Sequence, residues 1–389
     1  MIHGVFSVCD AHYTDSSQID IVRHYLLHLK ITMPDTHIAQ LLTGLSQKVQ
    51  ANSALPSDLQ RKAYEQISRA ALSLQYGGSL GAIDITEKYI DFITRLPWQT
   101  RTEDLLDIHR VRQIMDSRHY GLDKVKKRIE EYLASVIMIK KQSPDASLRA
   151  PSLFFTGLAG TGKTSFAPII AESLGRKFYR IPFGGLANAL DLRGQSKMTP
   201  YAGPGIILRA LVECGTRNPV ILLDEIDRAN PSDRAAIMGA LLEILDPGQN
   251  NRFTDYYLDY PFDLSQVMFV ATANNTKDIS TAVLDRLEVV QMPSYTDEEK
   301  IEIGKKYVMP KMLAQSGLTT SQLVIDDAVW PRLVRPLGFE PGIRSLERLI
   351  ESLVRKVTLQ IVSGTATTVV INEANMNSFV DVTMSSMTG

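Results

Sequence analysis

The stretch Phe154-Phe155-Thr156-Gly157-Leu158-Ala159-Gly160-Thr161-Gly162-Lys163-Thr164 constrains this chain most, because an apolar strand there runs into a glycine-rich turn that opens a helix. Gly157, Gly160 and Gly162 let the backbone turn tightly and come close to an anion, with amide N–H groups and the helix N-terminus pointing at it. The lysine and threonine that follow suit a nucleoside triphosphate: Lys163 reaches the β and γ phosphates and the Thr164 hydroxyl ligates Mg²⁺. Leu153 to Thr156 reads as a buried parallel strand, and Phe166, Ile169, Ile170 and Leu174 recur at helical spacing until Gly175 closes the helix. Pro168 falls inside that helix, where the missing donor predicts a kink one turn past the loop.

A chain of 389 residues, 44% of them apolar, is long enough for two or three cores. The net charge of −1 sets up no global field that would recruit nucleic acid or an anionic membrane. Cys9 and Cys214 are the only cysteines, which argues for a reducing compartment and against a disulfide framework. Met1 to Phe6 lacks a basic flank and a long apolar run, and no stretch approaches the roughly 18 apolar residues of a membrane span. A soluble protein of the cytoplasm is expected, with the mitochondrial matrix as the alternative.

Residues 1–116 read as a helical N-terminal region. Val22, Tyr25, Leu26 and Leu29 suggest one amphipathic helix, Ile38, Leu41, Leu42 and Leu45 another, and further helices are expected from Pro56 to Ala71 and from Asp84 to Leu96. His24, His28 and His37 have no carboxylate cluster around them and read as solvated or capping side chains rather than metal ligands.

Residues 117–293 read as an α/β nucleotide-binding domain. Its strands are expected at Leu153 to Thr156, Lys177 to Phe183, Val220 to Asp224, Val267 to Thr272 and Val289 to Met292, with helices between them. That alternation implies a parallel sheet covered on both faces, with ligands collecting at the carboxyl ends of the strands. Asp224 and Glu225 end one such strand, where they suit Mg²⁺ binding and activation of an attacking water. Asn274 ends the next, where its amide can orient that water or sense the γ-phosphate. Arg286 reads either as a surface charge or as an arginine finger for a neighbouring subunit's phosphate. Residues 294–389 read as a helical lid, with segments Asp297 to Gln315, Asp326 to Val334 and Ile343 to Val362 and a short strand from Val369 to Ile371. Arg344 opens the longest helix at the end a cation disfavours, which an anionic ligand, Glu340 or Glu347 would explain.

Taken together, Leu96-Pro97-Trp98, His119-Tyr120-Gly121-Leu122, Gly157 to Thr164, Leu222 to Asp227, Leu241 to Pro247, Ala271-Thr272-Ala273-Asn274-Asn275 and Leu284-Asp285-Arg286 resemble the ATPase part of Lon protease, an AAA+ machine. The resemblance runs from about residue 45 to 380. It implies a P-loop AAA+ sheet core with a helical lid. Gly157 to Thr164 would be the Walker A loop, Leu158, Ala159 and Thr161 included, Asp224 and Glu225 the Walker B pair, Asn274 sensor 1, Arg286 the arginine finger and Arg344 sensor 2. Tyr120 joins the nucleotide-binding positions. The resemblance also implies a homo-hexamer with ATP at subunit interfaces, acting on protein substrates.

Lon continues into a peptidase domain with a serine and lysine pair, whereas this chain ends at Gly389. The expectation is an ATPase without peptidase residues of its own, a peptidase domain or partner lying outside it. Matching the pore loop of the family places Thr199 and Pro200 at the gripping positions with Tyr201 two places late, and the second loop, Asn230 to Arg234, carries Asp233 where an apolar residue is usual. Weakened threading of polypeptide is expected unless Tyr201 substitutes. The rival to a motor is a nucleotide-dependent scaffold. DNA binding has family precedent, but Lys124 to Arg128 reads as a solvated helix face.

Overall fold

The computed structural model describes residues 36–76, 80–143, 150–199, 201–335 and 340–380. The amphipathic spacing between Val22 and Leu29, with His24 and His28, therefore lies outside the described residues, as does Pro200. In chain order the elements are α1 (Thr36–Ala51), α2 (Ser57–Gln75), α3 (Gly81–Arg95), α4 (Ile108–Arg118), α5 (Asp123–Gln142), β1 (Ser152–Thr156), α6 (Lys163–Leu174), β2 (Phe178–Pro182), α7 (Leu190–Arg193), α8 (Ile206–Cys214), β3 (Val220–Asp224), α9 (Arg234–Leu245), β4 (Phe253–Asp255), β5 (Tyr260–Phe262), β6 (Met268–Ala273), α10 (Thr281–Leu284) and β7 (Leu287–Gln291). The remainder comprises α11 (Asp297–Ile303), α12 (Met309–Ser316), β8 (Leu323–Ile325), α13 (Trp330–Val334), α14 (Arg344–Val362), β9 (Val369–Ile371) and α15 (Met376–Phe379).

The chain forms two compact units. The smaller gathers the described residues up to Arg101 with Arg193–Arg217 and Thr254–Phe262. Its three helices α1 to α3 bury Leu42, Leu45, Leu59, Ile67, Ile90 and Ile93 among themselves. Trp98 then closes over Phe262, ring centroids 5.1 Å apart, and donates its indole N–H to Ile93 O at 2.8 Å. In the same unit the loop from Gly194 to Gly205 is pinned at its base by Asp255, whose Oδ2 accepts from Gly205 N at 2.7 Å.

The larger unit comprises Thr102–Leu192, Asn218–Phe253 and the described residues from Asp263 on. Its parallel sheet has the order β2-β3-β6-β1-β7. Apolar residues fill both faces of β1 and β3, so Leu153 to Phe155 and Val220 to Leu223 are buried, each large side chain contributing about 2 kcal/mol of transfer free energy. The order matters for the site. β6 lies between β1 and β3, with Thr156 opposite Ala273 and Leu223 opposite Ala271. The segment that follows β6 therefore leaves the sheet between the glycine loop and the acidic pair. α6 runs unbroken from Lys163 to Leu174 across Pro168.

The lid joins the same apolar core. Ile303, Trp330, Leu346, Ile350, Leu353 and Val357 are buried in one cluster with Leu133, Phe166 and Val290. Two local features differ from the sequence expectation. The helix expected from Asp297 to Gln315 is divided by a π turn at Gly304–Val308. Leu323 to Ile325, not expected as a strand, pairs in parallel with Val369 to Ile371; three residues give too short a period for alternation to show.

Candidate functional site

The glycine loop is shaped by what packs behind it. A Cβ at Gly157 would meet Met292 O at 2.7 Å, so only glycine lets β1 turn this close to the chain leaving β7. Leu158 and Ala159 are exposed at the tip, while Thr161 is buried and donates to Leu158 O at 2.9 Å, tightening the turn. Lys163, the first residue of α6, points back through the loop. Its ammonium donates to Gly157 O at 2.7 Å, Leu158 O at 2.8 Å and Asn274 Oδ1 at 3.0 Å. Burial, then the nearby Arg344 guanidinium, holds this lysine below its usual range, against the pull of Asp227, Glu225 and Asp224.

Asp224 is fully inside the sheet end. Its Oδ1 accepts from Thr164 Oγ1 at 3.0 Å and from Thr272 Oγ1 at 2.6 Å, and its Oδ2 accepts from Arg180 Nε at 2.7 Å. Glu225 sits at φ +55°, a left-handed conformation that costs a non-glycine residue about 1 kcal/mol or more, and its carboxylate pairs with Arg228 at 3.2 Å. Thr272 Oγ1 also accepts from Glu225 N at 2.8 Å, so one threonine steadies both acids. Asp227 Oδ2 accepts from the backbone of Asn274 at 3.1 Å and of Asn275 at 3.2 Å, which fixes the turn that presents Asn274.

Gly160, Gly162, Lys163, Thr164, Glu225 and Asn274 line a cavity of about 410 Å³ that also receives Tyr120, Tyr295, Glu347 and Arg344. Arg344 forms no ion pair among the described residues: Glu340 instead accepts from Ser345 N at 3.3 Å, and the arginine stem lies against Gly160. Two cations thus converge on the mouth of a donor-rich loop, an arrangement that favours a polyanion. On the opposite wall His119 stacks on Phe166 with ring centroids 4.3 Å apart, and its Nε2 lies 3.0 Å from Ser165 Oγ. Ser165 spends its only proton on Gly162 O at 2.6 Å, so Nε2 carries the imidazole proton and donates. Burial, then the charge of Lys126, lowers the His119 pKa to about 4.

The cavity brings together Tyr120, Gly160, Gly162, Lys163, Thr164, Glu225, Asn274 and Arg344, with Asp224 directly behind Thr164. Arg286 lies outside this cavity and donates from Nε to Asp246 Oδ2 at 2.8 Å, with its side chain 40% exposed. Thr199 and Tyr201 belong to the smaller unit; Thr199 donates to Ser196 O at 2.6 Å, and Tyr201, at φ +60°, is fully exposed. In the polar second loop Asn230 donates to Ala187 O at 2.8 Å and Arg234 pairs with Asp278 at 2.6 Å. No role is expected from the sequence for Thr272, His119, Asp227 or Arg180, although the first three fall inside the motifs that carry the resemblance; the hydrophilic Thr272 inside an apolar strand is a further signal.

Residues 153–295 match the model of the ATPase family associated with various cellular activities (AAA), and residues 314–370 match that of the Lon protease AAA+ ATPase lid domain. A Lon protease of Lawsonia intracellularis is 41% identical over 330 residues, covering 85% of this chain and 38% of the relative. Lon protease 2 of Thermus thermophilus is 43% identical over 302 residues, covering 76% and 37%. The peroxisomal Lon protease homolog 2 of Danio rerio is 42% identical over 320 residues, covering 82% and 37%. The chain thus spans well under half the length of these relatives. Among the described residues no helix is long and apolar enough to cross a membrane. With an AAA domain, a Lon lid and this level of identity to the AAA+ region of Lon proteases, the chain belongs to the Lon-type AAA+ ATPases.

Proposed function

We propose that the chain binds Mg²⁺-ATP in the 410 Å³ cavity and hydrolyses it to remodel protein substrates, as the ATPase part of a Lon-type ATP-dependent protease system. The observation that carries this reading is the convergence of Gly160, Gly162, Lys163, Thr164, Glu225, Asn274 and Arg344, from four separate stretches of sequence, on one cavity. The loop amides and Lys163 bind the phosphates, and Lys163 exchanges its loop carbonyl partners for phosphate oxygens. Asn274 orients the attacking water and Glu225 takes its proton. Tyr120 lies toward the nucleoside, and Arg344 carries the state of the γ-phosphate to the lid.

The donor set suits Mg²⁺. Thr164 Oγ1 and Asp224 Oδ1 are hard oxygens 3.0 Å apart, and the described residues contain no cluster of three metal-binding side chains. A cation that keeps water and phosphate oxygens as its remaining ligands fits such a sparse set. Held by Thr164 and Asp224, such an ion would supply positive charge to offset that on the phosphates.

Arg286 supplies charge to a neighbouring subunit's site within a homo-hexamer, and the polypeptide is gripped by the loop that carries Thr199, Pro200 and Tyr201. Replacing Glu225→Gln is expected to lower turnover by about 100-fold or more while ATP still binds. Retained turnover would reject Glu225 as the base. Stimulation of the ATPase by an unfolded protein is expected of a motor; indifference to it would favour a scaffold.

A further inference from the structure

The smaller unit contains a second cavity, of about 610 Å³, between α2, α3 and the loop that carries Thr199 and Tyr201. Its basic side is built from Lys62, Arg69 and Lys197. Lys197 is half-buried: its ammonium lies 4.2 Å from the centroid of the Tyr89 ring and 3.3 Å from Gln66 Oε1, a neutral partner. Arg69 forms no ion pair among the described residues. Lys62 meets a backbone carbonyl, Asp259 O, at 3.5 Å. Of the two acids in the lining, Glu65 is already paired with Arg61 at 3.2 Å, which leaves Asp259 against three cations. Burial first, and also the charges of Lys62 and Arg69, depress the Lys197 pKa although Asp259 pulls it up. The cavity is therefore short of negative charge.

Its rim is apolar and open. Met198 is 88% exposed and Ile85 45%, an unusual display for two large apolar side chains lining one cavity. A small inorganic anion would satisfy the cations but leave this rim in water. An extended polypeptide segment with an acidic residue between apolar ones satisfies both.

We infer that this cavity is a docking site for an acidic side chain of a polypeptide substrate, seated on Lys197 and Arg69 with its apolar neighbours against Met198 and Ile85. The inference rests on the reading of polypeptides as substrates. Lys197 and Met198 belong to the same loop as Tyr201, so an occupant here anchors that loop against α2 through the Lys197 to Gln66 contact.

The test uses the full chain and a fluorescein-labelled unstructured peptide with two glutamates among leucines, compared with its glutamine counterpart by anisotropy. The acidic peptide is expected to bind about tenfold more tightly, and Lys197→Met or Arg69→Met to reduce that gap to about twofold, while Lys197→Arg retains it. Arg69 is exposed, so its replacement serves if Lys197→Met fails to fold. Equal binding of the two peptides, or a gap that survives both methionine variants, overturns the proposal. So does displacement of the peptide by tripolyphosphate at lower concentration than by unlabelled acidic peptide, which would make this a small-anion site. ATP binding by the unsubstituted chain is measured separately. Its absence rejects the ATPase reading, and its presence without peptide discrimination rejects only the docking site.

Discussion

Thr272 concentrates the chemistry of the site in one hydroxyl. It donates to Asp224 at 2.6 Å and accepts from Glu225 N at 2.8 Å, so its loss leaves a buried carboxylate and a backbone donor each short of a partner. Thr272→Val is isosteric and is expected to cost about 2 kcal/mol of stability and to lower turnover, because Asp224 and Glu225 lose their common brace. Thr272→Ser keeps the hydroxyl and is expected to recover most of both. Thermal melts and ATPase rates on the pair check this, and a valine variant with unchanged turnover would remove Thr272 from the machinery. His119 makes a second residue-scale prediction. Between its folded pKa of about 4 and the unfolded value near 6.5, the unfolded chain binds a proton that the folded chain refuses. Stability therefore falls as pH drops through that window and is complete above it, with a loss of about 2 kcal/mol between pH 7 and pH 5. Urea midpoints at the two pH values read it, and His119→Gln is expected to flatten the difference; a slope unchanged in that variant would place the titration elsewhere.

At the scale of elements, the start of α14 reaches the glycine loop with no room to spare. Ile343 N donates to Gly160 O at 3.2 Å, and a Cβ at Gly342 would overlap the backbone of Gly160. Gly342→Val must push the lid helix and the loop apart, moving Arg344 off Gly160. The expected result is a stability loss of about 1–3 kcal/mol and ATP affinity weakened by about tenfold, measured by denaturation and by nucleotide titration. Affinity that survives the substitution would mean that the lid does not shape the site. The same level shows what was legible in the sequence. The glycine loop, the strand ending in Asp224 and the stripe of α14 depend on local spacing, and each stands within a residue or two of its expected place. Thr272 under Asp224, Asp227 under Asn274 and His119 on Phe166 join residues from separate elements, and the placement of β6 between β1 and β3 is a property of strand order. Local periodicity carries no record of which strand lies beside which. The π turn at Gly304–Val308 escaped for a different reason: one extra residue in a turn leaves the 3.6-residue pattern nearly unchanged on either side.

At the scale of the whole molecule, the proposed role of Arg286 as a finger involves more than one copy of the chain. Arg286 is held by Asp246 outside the cavity that contains Lys163, Thr164 and Glu225, so as a finger it serves another subunit's cavity. That geometry makes a prediction that a purely structural Arg286 would not. Lys163→Ala loses its own phosphate site but keeps Arg286, whereas Arg286→Ala keeps the phosphate site and lacks the arginine. Each variant alone is expected to lose turnover by about 1000-fold. Mixed in equal amounts under conditions of subunit exchange, they form interfaces where an intact phosphate site from one chain meets an intact arginine from the other. ATPase activity should then reappear, with a bell-shaped dependence on mixing ratio that is highest near equal amounts. If the mixture stays inactive although light scattering shows that mixed assemblies form, Arg286 acts through its bond to Asp246 within its own chain. The ion pair would then be a brace for the start of β7, and the finger would have to be sought among other arginines.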